Sequence, residues 1–191
     1  KALKYTRVLA ISGADIDVVN EFHKSLSLKT ERNPNPINMY FYSEQKRSKY
    51  VNAALAVPLI SLSEFTRPSK IVFGVGTFYI EGFNELLQWM VDNRDKGYFK
   101  NLEYLQVTGH RIAISETQYD MTEIVNTIVS NLHTICTDKV NFPKLNEANF
   151  NNNDYNKQKN DFANKLRGAC DSESGVTVLA RQVDVSYEPM C

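Results

Sequence analysis

Short runs in which apolar and polar residues alternate are interleaved along the chain with longer stretches whose apolar residues recur every three or four positions. Two of the runs read as copies of one phrase: residues 101–112 are N-L-E-Y-L-Q-V-T-G-H-R-I and residues 5–16 are Y-T-R-V-L-A-I-S-G-A-D-I. They coincide at Leu9 with Leu105, Ile11 with Val107, Ser12 with Thr108, Gly13 with Gly109 and Ile16 with Ile112. Each copy predicts a strand, a glycine turn and then a helix. Holding Leu105 and Val107 as a key finds three more pairs, Met39/Phe41, Ile71/Phe73 and Ala148/Phe150. The first members fall at 9, 39, 71, 105 and 148, in steps of 30, 32, 34 and 43 residues. That is the length a strand, a turn and a helix need. A sixth strand is expected over 176–185, although it fits the key poorly.

The intervening stretches predict helices. Residues 15–26 align Ile16, Val19, Phe22 and Leu26, and residues 81–93 align Phe83, Leu86, Leu87, Met90 and Val91. The strongest is 120–136, with Ile124, Val125, Ile128, Val129, Leu132, Ile135 and Cys136 on one stripe and Asp120 or Thr122 as N-cap. Residues 43–57 form a basic and then apolar segment that Pro58 is expected to stop. Residues 59–65 read either as a short strand or as a loop with Leu62 and Phe65 turned inward. Gly74 and Gly76 predict a turn or a close backbone approach. Residues 151–160 read as a solvated loop or an insertion, leading into a helix that contains Phe162 and Leu166. Beyond Val185 no element is expected.

The run L-E-Y-L-Q-V at residues 102–107 is similar to the leucine-rich repeat core, L-x-x-L-x-L. The resemblance covers most of the chain in five copies, of which the Leu102 copy is well formed. In the others the first leucine is Thr6, Pro36 or Pro68, with Leu145 retaining it. The family's Asn or Cys, nine positions into the repeat, appears as Asn153 and is replaced by Ala14, Glu44, Gly76 and His110. A resemblance to the long, ribonuclease-inhibitor-like repeats implies an α/β solenoid with a parallel sheet on the concave face and helices on the convex face. On this reading residues 1–191 form a single repeat domain of about five to six β-α units, a section of a longer chain. The alternative is a compact doubly wound α/β enzyme, binding a nucleotide or phosphorylated ligand near Gly13, Asp15, Gly74 or Gly109. Strand order discriminates: chain order throughout favours the solenoid, and a reversal favours the enzyme.

An apolar fraction of 42%, with 10 Phe and 10 Tyr, is enough for a real core in 191 residues. Lys+Arg and Asp+Glu both number 22, and this balance argues against nucleic acid or an anionic membrane as the main partner. Cys136, Cys170 and Cys191 are an odd number at wide spacing, and there is no N-x-[ST] acceptor, membrane-length apolar run or signal-like start. A reducing compartment, cytoplasmic or nuclear, is therefore expected.

In a repeat fold, side chains one residue off the key leave the helix-free face. They are Val8, Ala10 and Ser12, then Asn38, Tyr40 and Tyr42, then Lys70 and Val72, then Tyr104, Gln106 and Thr108, then Glu147, Asn149 and Asn151. Asn38, Tyr40, Tyr42, Lys70, Tyr104, Gln106 and Asn149 are the expected contact strip for a partner protein. The plainer reading is that these are ordinary strand residues covered by the rest of a larger protein, and Val8, Ala10 and Val72 favour that coverage.

Catalytic signals are poor, and no catalytic residue, metal or cofactor is expected. Asp15 and Asp17 could hold Mg²⁺, but the equivalent repeat carries Arg111 and Ala113, and two acids suit the first turn of a helix, which is the favoured reading. Gly74 to Thr77, G-V-G-T, lacks the lysine and spacing of a P-loop, and a turn is the simpler reading. His133 and Cys136, at H-x-x-C spacing, could in principle make four zinc ligands with Cys170 and Cys191, but the first two lie on or beside the apolar stripe of a helix and the second pair is 21 residues apart. His23 and His110 are expected at the surface or in packing, and the basic run at 43–49 as a solvated face.

Overall fold

The computed structural model describes residues 7–12, 15–28, 35–42, 53–114, 120–151, 161–181 and 185–187. The alternating segments form strands β1 (Val8–Ser12), β2 (Asn38–Tyr42), β3 (Lys70–Tyr79), β4 (Tyr104–Ile114), β5 (Glu147–Asn149), β6 (Thr177–Leu179) and β7 (Val185–Tyr187). Among them lie helices α1 (Ile16–Ser27), α2 (Ala53–Ile60), α3 (Ser63–Thr66), α4 (Ile80–Asp92), α5 (Met121–Thr137) and α6 (Asp161–Ala169).

The fold is mixed α/β around an open parallel sheet. Its first six strands are neighbours in chain order, β1 to β6, with no reversal. The apolar key sets the register. Leu9 pairs with Met39, Met39 with Ile71, Ile71 with Leu105 and Leu105 with Ala148. One pleat further on, Ile11, Phe41, Phe73 and Val107 line up in the same way. Phe150 lies just past β5, where its amide donates to the Leu179 carbonyl at 2.7 Å. Because strand side chains alternate, a slip of one residue would turn every one of these groups away from the core.

The turns entering the strands stack as well. Backbone amides of Glu103, Asn146 and Thr177 each donate to the preceding rung, at Ser69, Glu103 and Asn146, over 2.8–3.0 Å. Peptide groups that would otherwise be unpaired at the strand starts are thus satisfied by the neighbouring repeat.

One core cluster joins the inward strand residues to the helices. Val19 and Leu26 of α1, Phe83, Leu86, Leu87 and Met90 of α4, and Val125, Ile128, Leu132 and Ile135 of α5 are buried in it. A connected run of rings crosses this core: Phe41 to Phe73 at 4.7 Å between centroids, Phe73 to Phe78 at 5.6 Å, Phe78 to Phe83 at 6.2 Å and Phe83 to Phe150 at 5.4 Å. Such ring pairs add about 0.5–1.5 kcal/mol beyond the area they bury. Asp15 and Asp120 cap α1 and α5, accepting from the amides of Val18 (3.0 Å) and of Thr122 and Glu123 (2.9 and 3.3 Å). Each cap is worth about 1 kcal/mol.

Several local expectations are corrected. Gly74 and Gly109 lie within paired strand, since β3 and β4 continue together as far as Tyr79 and Ala113. The pairing energy of two long neighbours overrides the local glycine signal. Pro58 sits inside α2 without stopping it. It loses one backbone bond near the end of a short helix, and its carbonyl accepts from His23 Nε2 (2.7 Å) and from the Ser61 hydroxyl (3.0 Å). The ambiguous stretch at 59–65 is the end of α2 and most of α3 joined by a turn at Ser61 and Leu62, with Leu62 fully buried and Phe65 packed edge-on to His23. The expected single strand at 176–185 is two strands, and β7 pairs with Ile112–Ile114 of β4. As β3 occupies the other side of β4 over that length, β7 lies on the β5 side, beyond the end of β5. The basic run at 43–49 and the polar run from 152 to 160 lie outside the described residues, as do Gly13 and Cys191.

Cys136 and Cys170 are joined as a disulfide with their Cα atoms 5.8 Å apart, which ties the end of α5 to the end of α6. Neither sulfur is therefore available to zinc as a thiolate. His133 is turned elsewhere, its Nδ1 donating to the Ala169 carbonyl at 2.8 Å.

Candidate functional site

The register that buries the key also gathers all seven expected contact residues on the opposite face of the sheet. Asn38 pairs with Val8 and stands beside Lys70, which pairs with Tyr104, which pairs with Glu147. In the next row Tyr40 pairs with Val72, Val72 with Gln106 and Gln106 with Asn149. Tyr42 pairs with Gly74 in the third, and its ring lies across that glycine. This face stays outside the core cluster. Tyr42 is exposed, and the other six are half-buried.

Neighbouring side chains organise the strip. The Tyr104 hydroxyl donates to Gln106 Oε1 at 2.6 Å and accepts from Asn149 Nδ2 at 3.3 Å. Gln106 Nε2 donates to the Thr108 hydroxyl at 3.0 Å, which donates in turn to the Phe73 carbonyl at 3.2 Å. Asn149 Oδ1 accepts from the Asn151 amide, and Asn151 Oδ1 from the Arg181 amide. The chain of bonds runs over β4 and β5 and ends on backbone, so it holds its members in fixed orientations. On β2 and β3, Asn38 Oδ1 accepts from the Ser69 hydroxyl (2.7 Å) and the Lys70 amide (3.1 Å). The Lys70 ammonium sits 4.9 Å from the Tyr104 ring centroid and 5.9 Å from that of Tyr40, and Tyr40 stacks on Tyr42 at 6.0 Å. These distances lie within the range of cation–π attraction.

The three apolar positions on this face divide. Val8 is 52% exposed and Ala10 is exposed, whereas Val72, paired between Tyr40 and Gln106, is only 6% exposed. Val72 is thus sheltered without belonging to the helix-covered core.

Other candidate chemistry does not assemble. Asp15 is engaged as an N-cap, and no group of three or more His, Cys, Asp or Glu able to hold a metal ion occurs among the described residues. Gly74 and Gly109 are mid-strand and form no phosphate-cradling loop. A recess of about 600 Å³ along α5 is lined by Asp120, Thr122, Glu123, Asn126, Thr127, Ser130 and Asn131. In it the Asp120 carboxylate is taken by its cap and Asn131 Nδ2 donates to Gln88 Oε1. Among the described residues no helix is long and apolar enough to cross a membrane. Sequence reasoning missed the Lys70 sandwich, because Tyr40 and Tyr104 reach that ammonium only through the strand pairing.

The arrangement defines a mixed α/β protein with one helix-covered and one polar, tyrosine-bearing sheet face. A scan against protein-family models and searches of curated proteins and of solved structures each return no match.

Proposed function

We propose that the chain is a protein-binding module, an irregular leucine-rich-repeat-like solenoid that docks a partner protein on its open sheet face. One observation carries this reading: Asn38, Tyr40, Tyr42, Lys70, Tyr104, Gln106 and Asn149 share one face in adjacent registers, outside the core. Strand order and the stacked rung entries support the repeat assignment. Tyrosine supplies large contact area at low entropic cost, and a strip already held by hydrogen bonds on β4 and β5 and by ring contacts on β2 and β3 loses little freedom on binding. No nucleic-acid, membrane, metal or cofactor role is proposed.

The test is capture of a partner on the immobilised chain, followed by titration of the purified partner against wild type and a Tyr40→Ala/Tyr104→Ala variant. Loss of two aromatic anchors is expected to raise Kd on the order of 100-fold. Unchanged affinity would remove the face from consideration.

A further inference from the structure

We infer that the β2–β3 half of the open face receives carboxylates from an acidic segment of its protein partner, an inference that rests on the docking reading above. The amide and hydroxyl acceptors in the strip are occupied from within: Asn38 Oδ1 by Ser69 and Lys70, Gln106 Oε1 by Tyr104, and Asn149 Oδ1 by Asn151. Among the described residues the Lys70 ammonium meets only the faces of two rings, and the sole ion pair among them, Arg94 with Asp138, lies elsewhere. The hydroxyls of Tyr40 and Tyr42 have no hydrogen-bond partner among the described residues, and the two rings that carry them are stacked 6.0 Å apart. What faces outward here is a positive charge flanked by hydroxyl donors. Glu147, the acid on this face, is separated from Lys70 by β4 and the Tyr104 ring. An ammonium held over aromatic faces keeps its charge available, and a carboxylate is the protein group that satisfies it together with the hydroxyls.

Fluorescence anisotropy with labelled short polyglutamate and polylysine peptides tests this on wild type, Lys70→Gln, Tyr40→Phe and, as a control off the face, Lys144→Gln. Wild type is expected to bind polyglutamate, more weakly as salt rises, and to ignore polylysine. Lys70→Gln should lose about tenfold, Tyr40→Phe less, and Lys144→Gln nothing. Equal binding of both peptides, or unchanged polyglutamate binding by Lys70→Gln, overturns the inference. If the tyrosine double variant still loses its purified partner while Lys70→Gln binds polyglutamate normally, the acidic ligand is refuted and the docking face stands.

A separate observation carries a second proposal: the Cys136–Cys170 disulfide points to maturation in an oxidising compartment, where the partner would also reside. The bond joins elements 34 residues apart in sequence, and both cysteines are buried against the α5–α6 contact. Its formation removes two thiol protons and two electrons, taken up by an exchanging disulfide that is itself reduced to a dithiol. A reducing cytosol does not sustain such a bond, whereas a secretory or extracellular setting does. The test is alkylation of natively produced protein under denaturing conditions, first without and then with reductant, followed by peptide mass mapping. Cys136 and Cys170 are expected to stay unlabelled until the reductant is added. Labelling of both before reduction overturns the proposal.

Discussion

The two faces of the sheet are made from the same strands, residue by alternate residue, and are ordered by different forces. On the covered side Met39, Phe41, Ile71, Phe73 and Leu105 are fully buried, placed by the hydrophobic effect and by ring packing. On the open side Tyr40, Lys70, Tyr104, Gln106 and Asn149 keep contact with solvent and are placed by hydrogen bonds and ring–ammonium contacts. Side chains ordered with only half their surface buried contribute less to folding than those of the covered face. Its use is preorganisation, which lowers the entropic cost of receiving a partner.

The comparison breaks most visibly on the covered side. Phe73→Ala removes the ring at the junction of Phe41 and Phe78. It should cost about 3–5 kcal/mol, lowering Tm in a thermal melt by roughly 6–20 °C. Reducing Cys136–Cys170 acts at the α5–α6 end of that same layer. Closure across 34 residues is worth roughly 3–4 kcal/mol in the chain-entropy view, so a melt with reductant should fall by about 6–16 °C without weakening binding at the strip on the opposite face of the sheet.

A smaller effect comes from Asp138, just past α5. Burial pushes its carboxyl pKa up, but donors outweigh it: the Asn141 side chain, the amides of Asn141 and Val140, and the Arg94 guanidinium at 3.2 Å hold it below the usual carboxylate value. A depressed folded pKa gives stability that is present above the unfolded value near 3.9 and is lost as pH falls through the folded one. Wild type should therefore lose more stability than Asp138→Asn on acidification below about pH 4, read as the difference between two urea-melt series. The smallest stability effect belongs to the open side, where Tyr40→Ala/Tyr104→Ala should leave Tm within a few degrees of wild type.

Much of this was legible in the sequence, because a period of two and a step near thirty are long-range constraints that few other arrangements satisfy. The pairs from Leu9/Ile11 to Leu105/Val107 therefore predicted the sheet register, and Asp15 and Asp120 announced their helix starts. Local signals failed where tertiary pairing overruled them. Gly74 and Gly109 read as turns but are carried in strand by each other's neighbours, and Pro58 rides inside a helix whose carbonyl finds His23. The three residues of β7 have too little pattern to be seen without β4 beside them. The cysteine pair was hidden by distance, since only the packing of α6 on α5 brings Cys170 to Cys136. The strip's members could be named, but its hydrogen-bond chain and the Lys70 sandwich depend on side-chain directions that no sequence period encodes.

The most direct test measures Tm and partner Kd on the same preparation of Tyr40→Ala/Tyr104→Ala. A nearly unchanged Tm with affinity lowered on the order of 100-fold is the result the account predicts. A melt that collapses as Phe73→Ala does, or an affinity that stays at the wild-type value, would show that these tyrosines hold the fold or do nothing at the surface, and would contradict it.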